Sequence, residues 1–174
     1  MSFWNCLPSI LGSGSVLLGA LWTCEVQLRR ERRHIRTLHQ LADAMGTMER
    51  SLRHSAPPME ELLREAVESA EGEVRSVLCR LSLNSLESAP FSAQWKCMTR
   101  NITLQLNEAE RRALERPGTV LGRCGVEEQC ACLGESEREL RRFARDRELS
   151  LAEKRRVWYT LSLSAALLTV VELI

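Results

Sequence analysis

"HIRTLHQLADAMGTMERSLRHSAPP", residues 34–58, is the stretch on which the fold turns. Its large apolar residues are Ile35, Leu38, Leu41, Met45, Met48 and Leu52. Leu38, Met45 and Leu52 follow one another by heptads, and Leu41 with Met48 fills the three-residue offset, so all lie on one stripe of a helix. The stripe reads back through Arg30 into the apolar N-terminal segment. It stops at Pro57-Pro58, because a proline ring clashes with the preceding helical turn.

The chain beyond supplies helical partners. "MEELLREAVESA" (59–70) restarts a helix with Glu60 and Glu61 in its first turn, where the helix dipole favours negative charge. Gly72 marks a turn, and "EVRSVLCRLSLNSL" (73–86) turns Val74, Val77, Leu78 and Leu81 inward. Residues 84–93, rich in Ser and carrying Pro90, read as a connector to a short helix around Trp95 and Met98. "NEAERRALERPG" (107–118) has Asn107 as N-cap and Glu110 three residues on, a capping box, with Pro117-Gly118 at its end. Residues 126–156 form a long charged helix with Val126, Leu133, Leu140 and Ala144 along one side. Sustained two-residue alternation is absent, so the fold class is all-α.

Working outward reaches two apolar ends. The chain has 24 Lys+Arg, 23 Asp+Glu and a net charge of +1, yet residues 1–24 hold no charge and residues 157–174 hold only Glu172. Crossing a hydrocarbon core of ~30 Å takes about 20 helical residues. Residues 157–174 sit near that length, with Lys154, Arg155 and Arg156 before them and Trp158-Tyr159 at the headgroup level. A buried core helix is the competing reading there. The first segment lacks the basic start of a cleaved signal peptide, and Leu21-Trp22-Thr23-Cys24 is a poor lipoprotein signal, so it reads as a retained span. Arg29, Arg30, Arg32 and Arg33 follow it. Both basic clusters border the middle segment, which places residues 25–156 in the cytoplasm and both termini outside. The expected architecture is a membrane hairpin of two spans (1–24 and 157–174) carrying a cytoplasmic bundle (25–156). It holds about six helices, counting the extensions of the spans.

Chemistry is sparse. Cys124, Cys130 and Cys132 lie close in sequence, but a closed zinc site takes four ligands, usually in C-x2-4-C pairs, and a C-x-C pair on a helix diverges by about 200°. His34, His39 and His54 are distant in sequence. Cytosolic thiols stay reduced, so plain cysteines are expected and neither metal nor cofactor is. There is no G-x-S-x-G, phosphate-cradling glycine loop or H-E-x-x-H. Acidic and basic residues alternate along helices, as in "ERELRRFARDRE", which reads as a solvated face. The same cancellation argues against nucleic acid as a partner. The composition points to a non-enzymatic, membrane-anchored interaction module.

Two longer strings add a resemblance. In residues 34–66, Ile35, Arg36, Leu38, Glu49, Leu52 and Pro58 fit a family pattern. In residues 106–129, Leu114, Gly118, Leu121, Gly122 and Gln129 fit an L-x-x-x-G-x-x-L-G pattern, and Trp95 falls where a tryptophan often stands. On these residues and both spans the chain resembles the stage III sporulation protein AB family of endospore-forming bacteria. It departs from the pattern at Arg32 (usually Pro), Ser51 (Glu), His54 (Tyr), Pro57 (Thr) and Gly125 (Asp), and Pro117 interrupts the helix before a turn expected at Gly118. The resemblance implies a non-catalytic platform subunit of the channel complex between mother cell and forespore, located in the mother-cell membrane. It also implies two kinds of partner, a cytoplasmic secretion-type ATPase and other membrane subunits, and similarity to the cytoplasmic domain of type II secretion platform proteins. The alternatives are a membrane-anchored coiled-coil sensor, motivated by the 38–45–52 seam, and a generic helical adaptor. A sensor needs only the long helix pair, whereas residues 58–118 hold three or four short amphipathic helices with apolar faces to bury.

Overall fold

The computed structural model describes the backbone of residues 3–84, 90–102 and 106–173, and the side chains of residues 25–83, 90–102 and 106–157. The described residues form seven helices and no strand: α1 (Phe3–Ser55), α2 (Met59–Ser69), α3 (Gly72–Asn84), α4 (Phe91–Asn101), α5 (Glu108–Glu115), α6 (Pro117–Val120) and α7 (Val126–Leu173). The chain divides into two compact units, Met1–Arg33 and His34–Ile174. In the first, the only side chains described belong to residues 25–33, where Arg29 pairs with Glu25 at 2.6 Å.

The second unit holds the core, and the 34–58 stripe runs through it. Ile35, Leu38, Leu41, Met45, Met48 and Leu52 are all buried, against Leu133, Leu140 and Ala144 of α7 and the inner faces of the short helices. Burial of one such aliphatic side chain is worth about 1.5–3 kcal/mol, so this stripe is a large contributor to cohesion. Leu62, Leu63 and Ala66 of α2 join it with Val74, Val77, Leu78 and Leu81 of α3. Gly72 enters α3 at φ +56, the left-handed conformation that makes the turn between them.

Several boundaries differ from the sequence reading. The last residue of α1 is Ser55, and Ala56 takes the left-handed conformation (φ +43) with its N–H on the Leu52 carbonyl at 3.1 Å. Pro57 bars Ala56 from continuing the helix, while the Pro58 carbonyl accepts the Glu61 and Leu62 N–H groups at 3.0 and 3.1 Å and so opens α2. The 84–93 connector is shorter than expected, since α4 begins at Phe91 behind Pro90. Pro117 starts the extra helix α6 at its first position, where its missing N–H costs nothing. Val126 is 37% exposed rather than inward, being the first residue of α7. Among the described residues no helix is long and apolar enough to cross a membrane. The side chains of the expected spans, 1–24 and all of 157–174 but Val157, lie outside the described residues.

Candidate functional site

α1 and α7 run antiparallel in the second unit, and polar contacts tie them in register. His39 Nε2 lies 3.0 Å from Glu148 Oε1, Arg141 donates to Asp43 Oδ1 at 2.7 Å, and Cys130 Sγ–H reaches the Glu49 carbonyl at 3.8 Å. Between them lies a reciprocal arrangement. The Glu137 carboxylate sits over Gly46 of α1, where an added Cβ would come within 2.7 Å of it. The Glu49 carboxylate sits over Gly134 of α7, where an added Cβ would come within 3.0 Å.

The reciprocity is written in an internal repeat that the sequence reading missed. α1 carries "GTMERSLR" (46–53) and α7 carries "GESERELR" (134–141), with Gly, Glu, Arg, Leu and Arg at the same places in each. The repeated leucines, Leu52 and Leu140, are buried. Each repeated glutamate pairs with the arginine one turn on: Glu49 with Arg53 at 2.6 Å and Glu137 with Arg141 at 2.9 Å. The two segments are thus related by a local two-fold between antiparallel helices. Comparing the α1 and α7 stretches with each other would have exposed the repeat, although its glycines and charges carry little weight in a hydrophobic-pattern reading.

The two halves differ at one point. Arg141 is held by two carboxylates, Glu137 and Asp43, which together raise its pKa, Glu137 contributing most. Arg53, its counterpart, pairs with Glu49, and the place matching Asp43 is taken by Ala131, which is exposed. There the surface opens into a groove of about 350 Å³ lined by Glu49, Arg53, Cys130, Ala131, Gly134, Glu137 and Arg138. Burial pushes the Cys130 thiol up from its ordinary pKa; Arg53 opposes this and Glu49 adds to it. The thiol is therefore protonated and unreactive at neutral pH.

A second cluster joins three elements. Glu110 closes the expected capping box with Asn107, but its side chain is fully buried, whereas a capping glutamate usually faces solvent. Its Oε2 accepts the Asn107 N–H at 2.9 Å and lies 3.2 Å from His34 Nε2 on α1, and its Oε1 accepts from Arg147 Nε on α7 at 2.7 Å. Burial raises the carboxyl pKa, yet the Arg147 hydrogen bond, the Asn107 N–H and the charges of Arg147 and His34 together outweigh it. The group is held below its usual range. The structure thus brings His34, remote in sequence, onto a buried carboxylate.

The family-pattern residues divide among several places. Ile35, Leu38, Leu52, Trp95, Leu114 and Leu121 are core. Trp95 donates Nε1–H to the Leu114 carbonyl at 2.8 Å and packs against Gly118, where a Cβ would overlap ring atoms Cδ1 and Cγ. Gly118 is therefore a packing position inside α6 and not the turn expected of it. Gly122, at φ +73, makes that turn, its N–H on Gln129 Oε1 at 3.3 Å while Gln129 Nε2 donates to the Cys124 carbonyl at 2.6 Å. Pro58 and Arg36 are exposed, and Glu49 is in the groove. Arg29, Arg30, Arg32 and Arg33 are exposed on α1, as are Lys154, Arg155 and Arg156 on α7. Cys130 and Cys132 are buried and Cys124 half-buried, and no group of residues able to hold a metal ion occurs among the described residues.

No curated protein and no solved structure matches this chain. The sequence model of one family, described as stage III sporulation protein AB, matches residues 9–174, which include the α1 stripe, the Trp95–Gly118 contact and the α7 repeat. The chain belongs to the stage III sporulation protein AB family.

Proposed function

We propose that this sporulation protein is a non-catalytic platform subunit. It would be anchored in the mother-cell membrane by residues 1–24 and 157–174, with residues 25–156 in the cytoplasm. There it would bind the secretion-type ATPase of the channel complex, beside other membrane subunits, and pass motion of that ATPase toward the bilayer. The observation that supports this best is the α1–α7 ladder. Helices locked in register by reciprocal glycine–glutamate seats and the Arg141 clasp resist sliding, as a force-bearing element must. The exposed basic clusters suit a cytoplasmic boundary beside anionic lipid.

The coiled-coil sensor is disfavoured by one finding. Leu38, Met45 and Leu52, the seam it needs, are buried in the chain's own core. The test is capture of the full chain, in detergent, by the sporulation ATPase of the same spore-forming host. Saturable binding by a monomeric chain is expected. A parallel dimer that ignores the ATPase would overturn the platform reading.

A further inference from the structure

We propose that the groove beside Ala131 receives the carboxylate of an Asp or Glu side chain from a partner protein, with Arg53 as its principal ligand. The argument comes from the local two-fold. In one half, Arg141 lies between Glu137 of its own helix and Asp43 of the facing helix, 2.9 and 2.7 Å away. In the other half, Arg53 has Glu49 of its own helix at 2.6 Å, while the facing-helix position is Ala131. The groove lies where the second carboxylate is missing, with Arg53 and Arg138 in its lining. An Arg fork carries more donors than one carboxylate uses, and the Arg53 side chain is 70% exposed.

The acidic groups in the lining are each offset by an arginine. Glu49 is engaged by Arg53 and Glu137 by Arg141. The Arg141 half also shows that this scaffold seats a second carboxylate beside a paired glutamate. The choice of a protein side chain follows from the lining, which is open and mostly charged rather than the enclosed apolar cleft of a small-molecule site. The inference rests on the platform reading only for which protein supplies the carboxylate.

The test places a short diazirine amino acid at Ala131 of the full chain in sporulating cells of its host, with the cross-linked peptide sequenced by mass spectrometry. The expected adduct is a peptide of another protein that contains Asp or Glu. Arg53→Glu should reduce it at least tenfold and Arg53→Lys should largely retain it, with both variants still unfolding cooperatively; the loss of the Glu49 pair should lower the thermal midpoint of Arg53→Glu only slightly. In parallel, Ala131→Asp should raise the thermal midpoint by supplying Arg53 with an internal carboxylate, and should lower co-purification of the same partner at least tenfold. No adduct, a lipid adduct, an adduct indifferent to Arg53→Glu, or full partner recovery with Ala131→Asp would each overturn the proposal. An Arg53-dependent adduct to a protein other than the ATPase would instead leave the groove assignment standing and remove the ATPase from it.

Discussion

Three glycines face three different neighbours, and the neighbour decides what a methyl group does. In a helix, Gly→Ala gains about 1 kcal/mol of propensity. At Gly46 and Gly134 the obstacle is the far end of a glutamate side chain, which can swing aside. Net changes within about 0.5 kcal/mol are expected for Gly46→Ala and Gly134→Ala, since the lost seat and the gained propensity offset each other. At Gly118 the obstacle is the indole of Trp95, buried and hydrogen-bonded to Leu114. Gly118→Ala should cost about 1–3 kcal/mol through overpacking, and chemical denaturation of the three variants side by side tests the order. Ser136 makes the opposite case: it is 1% exposed, with a hydroxyl lacking any hydrogen-bond partner. Ser136→Ala removes an unpaired buried polar group, so a gain of about 1 kcal/mol is expected in the same assay.

At the scale of elements, α5 is too short to hold itself and depends on its cap. Helices of this length are marginal alone, and Asn107 with Glu110 satisfies two otherwise orphaned N–H groups. Asn107→Ala should cost about 1 kcal/mol. Glu110 does more, because the same carboxylate binds Arg147 of α7 and faces His34 of α1. Its pKa lies below the ordinary carboxylate range in the folded chain. A depressed acid contributes stability that is present above the unfolded-state pKa and lost as pH falls through the folded-state pKa. Stability should therefore fall as pH drops through and below the usual range of carboxyl groups. Glu110→Gln should flatten that acid limb while lowering the plateau near neutral pH, because it leaves Arg147 without its buried carboxylate. Denaturant midpoints across a pH series distinguish this from general acid unfolding, which would leave the slope of the variant unchanged.

For the whole molecule, burial sorts the cysteines of the described residues. Cys79 and Cys97 are exposed, whereas Cys130 and Cys132 are buried with thiol pKa values raised, chiefly by burial. Alkylation of the folded chain near neutral pH should thus modify Cys79 and Cys97 well before Cys130 and Cys132, as peptide mapping over time would show. Equal rates at all four would mean that the α1–α7 seam opens readily, which is incompatible with the force-bearing role proposed for it. The ion pairs across that seam are half-exposed, and such pairs are worth about 0–1 kcal/mol each. They set the register, while the buried apolar core supplies the stability.

The α1 stripe, the capping box and the helical class were legible in the amino-acid sequence, because each rests on local spacing: heptads along one helix, or a cap and a carboxylate three residues apart. Family membership was legible for the same reason, being carried by short patterns in fixed order. The sequence alone did not tell Gly118, a packing partner of Trp95, from Gly122, the residue that turns the chain; both are glycines in one pattern, and only the φ of one and the neighbour of the other separate them. Nor did it place His34 and Arg147 on Glu110, or show that the α1 and α7 repeats face one another about a two-fold. Those pairings join residues remote along the chain, and which charges meet depends on how the helices cross once their apolar faces are buried. Local spacing therefore determined the helices, and the packing of α1 against α7 decided where the paired charges, and the arginine beside the open groove, would lie.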